Sequence, residues 1–219
     1  MPRDNWCADR YENNFAMKLF AGLVLCCVVA CLAGCRTAPS DAARKAGLKT
    51  VSIEPRVDAD NVMRYGADIG GGAFYALGAL VMDATGKEGI AQMATVMHTN
   101  GIVVADMVRE QVTEYLKTYP DLKWSDDDAD GVFVIKIMQY GFDTPGMKAT
   151  KKVPFVVLRL ALYDRNGKII WCALTQPTDW TANGIGAPWE EYEANPERLR
   201  ADWNAQIKHV VPLLFPAKK

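Results

Sequence analysis

The stretch from Val153 to Leu174 constrains the fold more than any other. Val156, Leu158, Leu160 and Leu162 recur at every second position with Arg159 among the residues between them, so one side of the segment is apolar. A period of two is that of a β-strand with one buried face. Asp164-Arg165-Asn166-Gly167 follows, and Asn-Gly is the strongest short hairpin signal because both residues tolerate positive φ. Lys168 to Leu174 then reads as the returning strand. Two strands alone are marginal in water, so this hairpin needs more strands and a layer to cover its apolar face.

The flanking sequence supplies both. Lys49 to Pro55 reads as a short strand with Val51 and Ile53 on one side, and Val132 to Phe142 as a longer one. Between them, Lys87 to His98 places Ile90, Met93, Ala94 and Met97 on one helical face. Asn100 is expected to cap a second helix, in which Val104, Val108, Val112, Tyr115 or Leu116, and Tyr119 recur every three or four residues. Pro120 stops it. Thr175 to Ala194 reads as a loop. A last helix has Asn195 as N-cap, Pro196 in first position, and a stripe of Leu199, Trp203, Ile207 and Val210 or Val211. The order predicts an α+β fold, a small, mainly antiparallel sheet of about four strands with helices packed on one face.

Composition narrows the function classes. Half of the residues are hydrophobic, 23% are charged, and the net charge is −1. A disordered chain needs low hydrophobicity and high net charge, and a nucleic-acid binder of the ordinary kind needs excess base, so neither is expected. Of the six cysteines, Cys7, Cys26, Cys27, Cys31 and Cys35 precede position 36 and only Cys172 follows. That distribution points to an N-terminal address rather than a disulfide framework.

From Met17 the chain reads Lys18, an uncharged apolar run from Leu19 to Leu32, then small residues, the layout of a secretory signal. The run is shorter than the roughly 20 residues of a spanning helix. Its end, Leu32-Ala33-Gly34-Cys35, resembles the lipobox of bacterial lipoproteins. The resemblance implies cleavage between Gly34 and Cys35 and lipid on the Cys35 thiol, the strong nucleophile at that point. More than one acyl chain holds a protein stably on a membrane where a single chain does not. Arg36 stands where an Asp would resemble the inner-membrane retention signal, so the implied location is the periplasmic face of the cell outer membrane. Residues 1–16 fit no signal and are expected to be a misassigned extension, with 17–34 the signal, 35–48 a flexible tether and 49–219 a single domain. The first 34 residues hold three bases and three acids, so the mature chain is still at −1. Bulk charge therefore gives no adhesion to anionic lipid.

The order of Val51-Ser52-Ile53-Glu54-Pro55, a long helix, Asp130 to Ile137, and Val157 to Trp171 is similar to that of small envelope lipoproteins whose fold resembles the N-terminal domain of TolB. The resemblance implies an accessory protein of the envelope and transfers no functional residue.

Other constellations carry less. Asp126-Asp127-Asp128-Ala129-Asp130-Gly131 matches the first half of a calcium loop, but Ile137 stands where the bidentate Glu belongs. A solvated acidic turn is the expectation. Ser40, Ser52 and Ser125 lie in no nucleophile elbow, and Cys172 on a strand reads as a buried apolar packer. His98 and His209 fall near helix C-termini, where carbonyls favour partial positive charge. Gly70, Gly71 and Gly72 form no phosphate loop, because no Gly-Lys-Ser/Thr follows. The uncharged run 69–82 would rise about 21 Å as a helix, too short to span, and is expected to be buried, or to touch membrane or subunits. Trp180, Trp189 and Tyr192 form a possible recognition loop, since aromatics give large contact area at low entropic cost, or else they cover the sheet and anchor the loop.

No catalytic residue, metal or cofactor is expected. The function expected is that of a non-enzymatic, lipid-anchored periplasmic accessory, scaffold or binding protein with an envelope protein partner and no nucleic acid. The alternative is a homo-oligomeric component of an envelope secretion or transport assembly.

Overall fold

The computed structural model describes residues 37–59, 64–65, 89–143, 150–175 and 184–216. The signal, Leu32-Ala33-Gly34-Cys35, the run 69–82 and Trp180 lie outside the described residues. In chain order the elements are α1 (Pro39–Lys45), β1 (Val51–Ile53), β2 (Asp58–Ala59), β3 (Arg64–Tyr65), α2 (89–99), α3 (Val104–Lys117), β4 (Gly131–Asp143), β5 (Val153–Asp164), β6 (Ile169–Leu174), α4 (Trp189–Ala194) and α5 (Pro196–Val210), followed by a 3-10 turn, Val211–Leu214.

The sheet is built on its long central pair. β4 and β5 are antiparallel from Gly131 opposite Asp164 to Asp143 opposite Val153, with a bulge between Ile137 and Gln139. β6 continues the meander, Leu162 facing Trp171 and Leu160 facing Ala173. Asp164 N donates to the Lys168 carbonyl at 3.0 Å and Gly167 turns with φ +76°, so the hairpin closes where Asn-Gly predicts it. Along the other edge of β4, β1, β2 and β3 run parallel to it one after another, at Gly131–Phe133, Lys136–Ile137 and Gly141–Phe142. The sheet is α+β in class and antiparallel at its centre, with a parallel edge that the strand periodicity did not reveal. A parallel partner needs a crossover connection, and α3 lies in the connection between β1 and β4.

The helices cover one face. Phe133, Ile135 and Ile137 of β4, and Leu158, Leu160 and Leu162 of β5, are all at most 1% exposed. Against them pack Val108, Val112 and Leu116 of α3 and Leu199, Trp203 and Ile207 of α5, the positions of the predicted stripes. Met93 and Met97 of α2 join the same core. The opposite face is mixed. Val153, Phe155, Val157 and Ala161 alternate with the core residues of β5 and are also buried, whereas Lys136 pairs with Asp58 at 3.0 Å near Arg159 on β5.

Three local expectations are corrected. Asn100 does not cap α3, whose N-cap position is Val103. Its backbone N–H and its Nδ2 both donate to the Val96 carbonyl, so it closes α2 instead. Thr175 to Ala194 is not all loop, because Pro188 leads into α4. The segment 35–48 is not simply a flexible tether either. Pro39 opens α1, Asp41 lies in its first turn, Arg44 and Lys45 in its last, and Gly47 follows at φ +74°. That is a complete set of helix start and stop signals, and Ala42 and Ala43 are buried against the domain.

Candidate functional site

Two regions concern function, the corner where the chain enters the domain and the segment around α4. At the corner, the indole Nε1 of Trp171 donates to the Thr37 carbonyl at 2.8 Å. Trp171 is 3% exposed and lies 5.8 Å from Phe215, stacked, and 6.2 Å from Phe133, edge-on. Phe215 in turn stacks on Tyr115 at 4.6 Å and meets Tyr119 at 5.1 Å. This row of rings joins β4, β6, the C-terminal turn and the end of α3. The same corner holds Asp41, whose charge, after burial and Tyr115, adds to the raising of the Tyr119 phenol above its ordinary value. α1 lies against β6, and Leu48 leads from it towards Gly131 at the start of β4. The segment from Thr37 to Leu48 is thus part of the folded body.

The acidic turn stitches this corner to the sheet. The Asp130 carboxylate accepts from the backbone N–H groups of Lys49 at 3.0 Å and Thr50 at 3.3 Å. The Lys49 N–H bond is the main cause that lowers its pKa, with the Thr50 N–H and Arg165 adding to it. Arg165 sits 3.1 Å from Asp128 and 3.3 Å from Asp130, and its Nη2 also donates to the Asp128 carbonyl at 3.0 Å. Trp124 Nε1 takes Asp126 at 2.7 Å. A guanidinium therefore bridges the Asp128 and Asp130 carboxylates. Among the described residues, no group of three or more His, Cys, Asp or Glu side chains is arranged to hold a metal ion.

Around α4 the aromatics serve packing. Tyr192 is 0% exposed, and its hydroxyl lies 2.8 Å from Asp202 Oδ2 and 3.1 Å from the Lys152 carbonyl. It has no surface to offer a ligand, which corrects its place in a recognition loop. Trp189 is half-buried, edge-on to Phe142 at 4.9 Å, with Lys152 Nζ 5.7 Å above its ring. Its Nε1 lies so close to Gly89 that a Cβ there would be 2.5 Å away, so the indole is clamped at the start of α2.

What the sequence reading missed here is Asp202. This buried carboxylate receives Gly186 N–H at 2.8 Å, the Tyr192 hydroxyl at 2.8 Å and Arg198 Nε at 3.1 Å. It ties α5, α4 and the turn before α4 together. The Asp one turn after Arg198 on α5 was the available signal.

The remaining candidates are dispersed. Cys172 is half-buried on the strand side opposite the helices, rather than buried. His209 lies in the last turn of α5 and His98 near the end of α2, far apart in the chain. A shallow cleft of about 290 Å³ between α3 and the C-terminal turn is lined by Gln111, Glu114, Tyr115, Thr118, Lys208 and Pro212, among others. It gathers no nucleophile with a base. Among the described residues, no helix is long and apolar enough to cross a membrane.

No family model matches the chain. No curated protein matches it. Among solved structures, the chain is similar to protein XCC0632 from Xanthomonas campestris, described with the family DUF330, at 12% identity and a TM-score of 0.36. The alignment covers 50% of this chain and 58% of that one. So distant a likeness assigns neither family nor activity.

Proposed function

We propose that the protein is a lipid-anchored accessory or scaffold protein of the bacterial envelope, carried by Cys35 on the periplasmic face of the outer membrane. The observation that supports this most is in the sequence, where the apolar run Leu19 to Leu32 ends in Leu32-Ala33-Gly34-Cys35. Thr37, two residues further on, is already bonded to Trp171 of the folded domain. A signal run followed at once by a domain with its own core is the arrangement of a processed, anchored protein. The partner would be another envelope protein.

The test is replacement of Cys35 by Ala with fractionation of the envelope. Loss of the protein from membranes to the soluble or inner-membrane precursor pool supports the anchor. Unchanged outer-membrane retention overturns it.

A further inference from the structure

β6 (Ile169–Leu174) ends the sheet on its side, paired with β5 and with no other described strand. Edge strands are ordinarily kept from further pairing by a charge, a proline or a very short length. Ile169-Ile170-Trp171-Cys172-Ala173-Leu174 has six residues, none of them charged and none proline. α1 reaches this strand through the helix-bearing face, where Ala42 and Ala43 share the core with Trp171 and Ala173.

The strand also carries its own complement. Thr175 N–H donates to the Leu158 carbonyl at 2.9 Å. Alternation along an antiparallel ladder then turns the backbone polar groups of Trp171 and Ala173 towards β5, and those of Cys172 and Leu174 towards the outer edge. Trp171 and Ala173 face the helices, opposite Leu162 and Leu160. Cys172 and Leu174 face the other side, opposite Ala161 and Arg159. Tyr163 pairs with Ile169 while Leu162 pairs with Trp171, so Ile170 is the extra residue of a bulge, and Ile169 comes round to the same side as Leu174. Ile169 is 45% exposed and Leu174 is 52% exposed, one at each end of the strand.

We propose that β6 pairs antiparallel with β6 of a second copy of the chain, about a twofold axis at Cys172, and joins the two sheets into one. In that register Cys172 lies opposite the partner's Cys172, Trp171 opposite the partner's Ala173, and Ile169 opposite the partner's Leu174. Both members of each pair then lie on the same face of the joined sheet. The large indole meets a small methyl, and the exposed aliphatic side chains cover one another at both ends of the contact. A slip of one residue would set helix-facing side chains against outward-facing ones, and a slip of two would shorten the ladder. The contact is isologous and closed, so association stops at the dimer. A single short strand gives a small interface, so the dimer depends on concentration. The pairing is independent of the Cys35 anchor.

Opposed Cα atoms in a hydrogen-bonded antiparallel pair are about 5.5 Å apart, which puts the two Cys172 thiols within reach of a short bismaleimide. The experiment takes the full chain purified from membranes in detergent, follows its mass by sedimentation over a range of concentrations, and then adds the crosslinker. The expected result is a monomer–dimer equilibrium and a crosslinked dimer that Cys172→Ser abolishes. Leu174→Lys and Ile169→Lys should each weaken association by about tenfold or more, because a symmetric contact counts each substitution twice. Leu213→Lys, at a residue of the C-terminal turn that is 46% exposed, should leave association unchanged. Thermal unfolding checks that the lysine variants are folded, and the Cys172 crosslink in the unsubstituted chain needs no variant. A chain that stays monomeric at every concentration, a dimer that Cys172 does not crosslink, or a dimer that survives both lysine substitutions at β6 overturns the pairing. Crosslinking of Cys172 to a different envelope protein in whole membranes also overturns it, in favour of a foreign strand on the same edge.

Discussion

The Trp171 indole reaches across 134 positions of sequence to the Thr37 carbonyl, and this one bond ties the entry of the chain to the last strand of the sheet. It makes α1 an outer layer of the domain rather than a leash.

Trp171→Phe should therefore loosen α1 more than the body. The lost hydrogen bond leaves the Thr37 carbonyl half-buried without its donor, and the smaller ring leaves a gap beside Phe215. Together these should cost about 1–3 kcal/mol of global stability by urea unfolding. Tryptic cleavage at Arg44 and Lys45 should accelerate under native conditions by a larger factor than the unfolding equilibrium alone explains, because a local opening suffices. Equal changes in both would mean that α1 has no independent opening.

The buried carboxylate of α5 carries a larger share. Asp202→Ala orphans the Gly186 N–H and strips the Tyr192 hydroxyl of its carboxylate partner, both in buried surroundings, so a loss of about 3 kcal/mol is expected. Arg198→Ala removes a partner that is 40% exposed and should cost under about 1 kcal/mol. Thermal unfolding of the two variants side by side checks the ranking, and the reverse order would contradict the central role of Asp202.

Tyr192 predicts an alkaline limit. Burial, and after it the Asp202 charge, holds the phenol proton to well above its ordinary value of 10.0. The folded chain then keeps a proton that the unfolded chain releases above that value. Stability from this group is complete below pH 10 and falls as pH rises beyond it. Urea midpoints measured from about pH 8 to about pH 11 should decline at the top of the range. Tyr192→Phe should flatten that decline while lowering stability at pH 8 by about 1 kcal/mol.

Gly186 is held at φ +99°, and a Cβ there would come 2.7 Å from Val153 Cγ2 and 2.9 Å from the Lys152 carbonyl. Backbone strain and backbone clash combine, so Gly186→Ala should cost at least about 2 kcal/mol. Gly184→Ala, at φ +84° but in open space, should cost about 1 kcal/mol. Chemical unfolding of both separates clash from strain.

The period-two run of β5, the Asn-Gly turn and the α5 stripe with its Asn195 cap, whose Oδ1 receives Arg198 N–H at 3.2 Å, were legible because each is local. The parallel edge of β1, β2 and β3 was not, since it depends on pairing with β4 far along the chain. α1 was written in the sequence as Pro39, Asp41, Arg44 and Gly47, but its short, alanine-rich length read as a linker until Trp171 and β6 supplied tertiary support. Tyr192 and Trp189 left two readings open, a ligand surface or packing, and only the fold, which brings Asp202, Phe142 and Gly89 to them, decides for packing. The acidic turn was legible from its run of Asp residues, but its clasp on Lys49 and Thr50 needed the β4 register.

The measurement that bears most directly on the account is the intact mass and N-terminal residue of the protein extracted from the envelope of a two-membrane bacterium. The account predicts a chain that begins at Cys35 and carries a diacylglyceryl group and an added acyl chain. A chain recovered from the envelope that retains residues before Cys35, or begins at Cys35 without lipid, would contradict it.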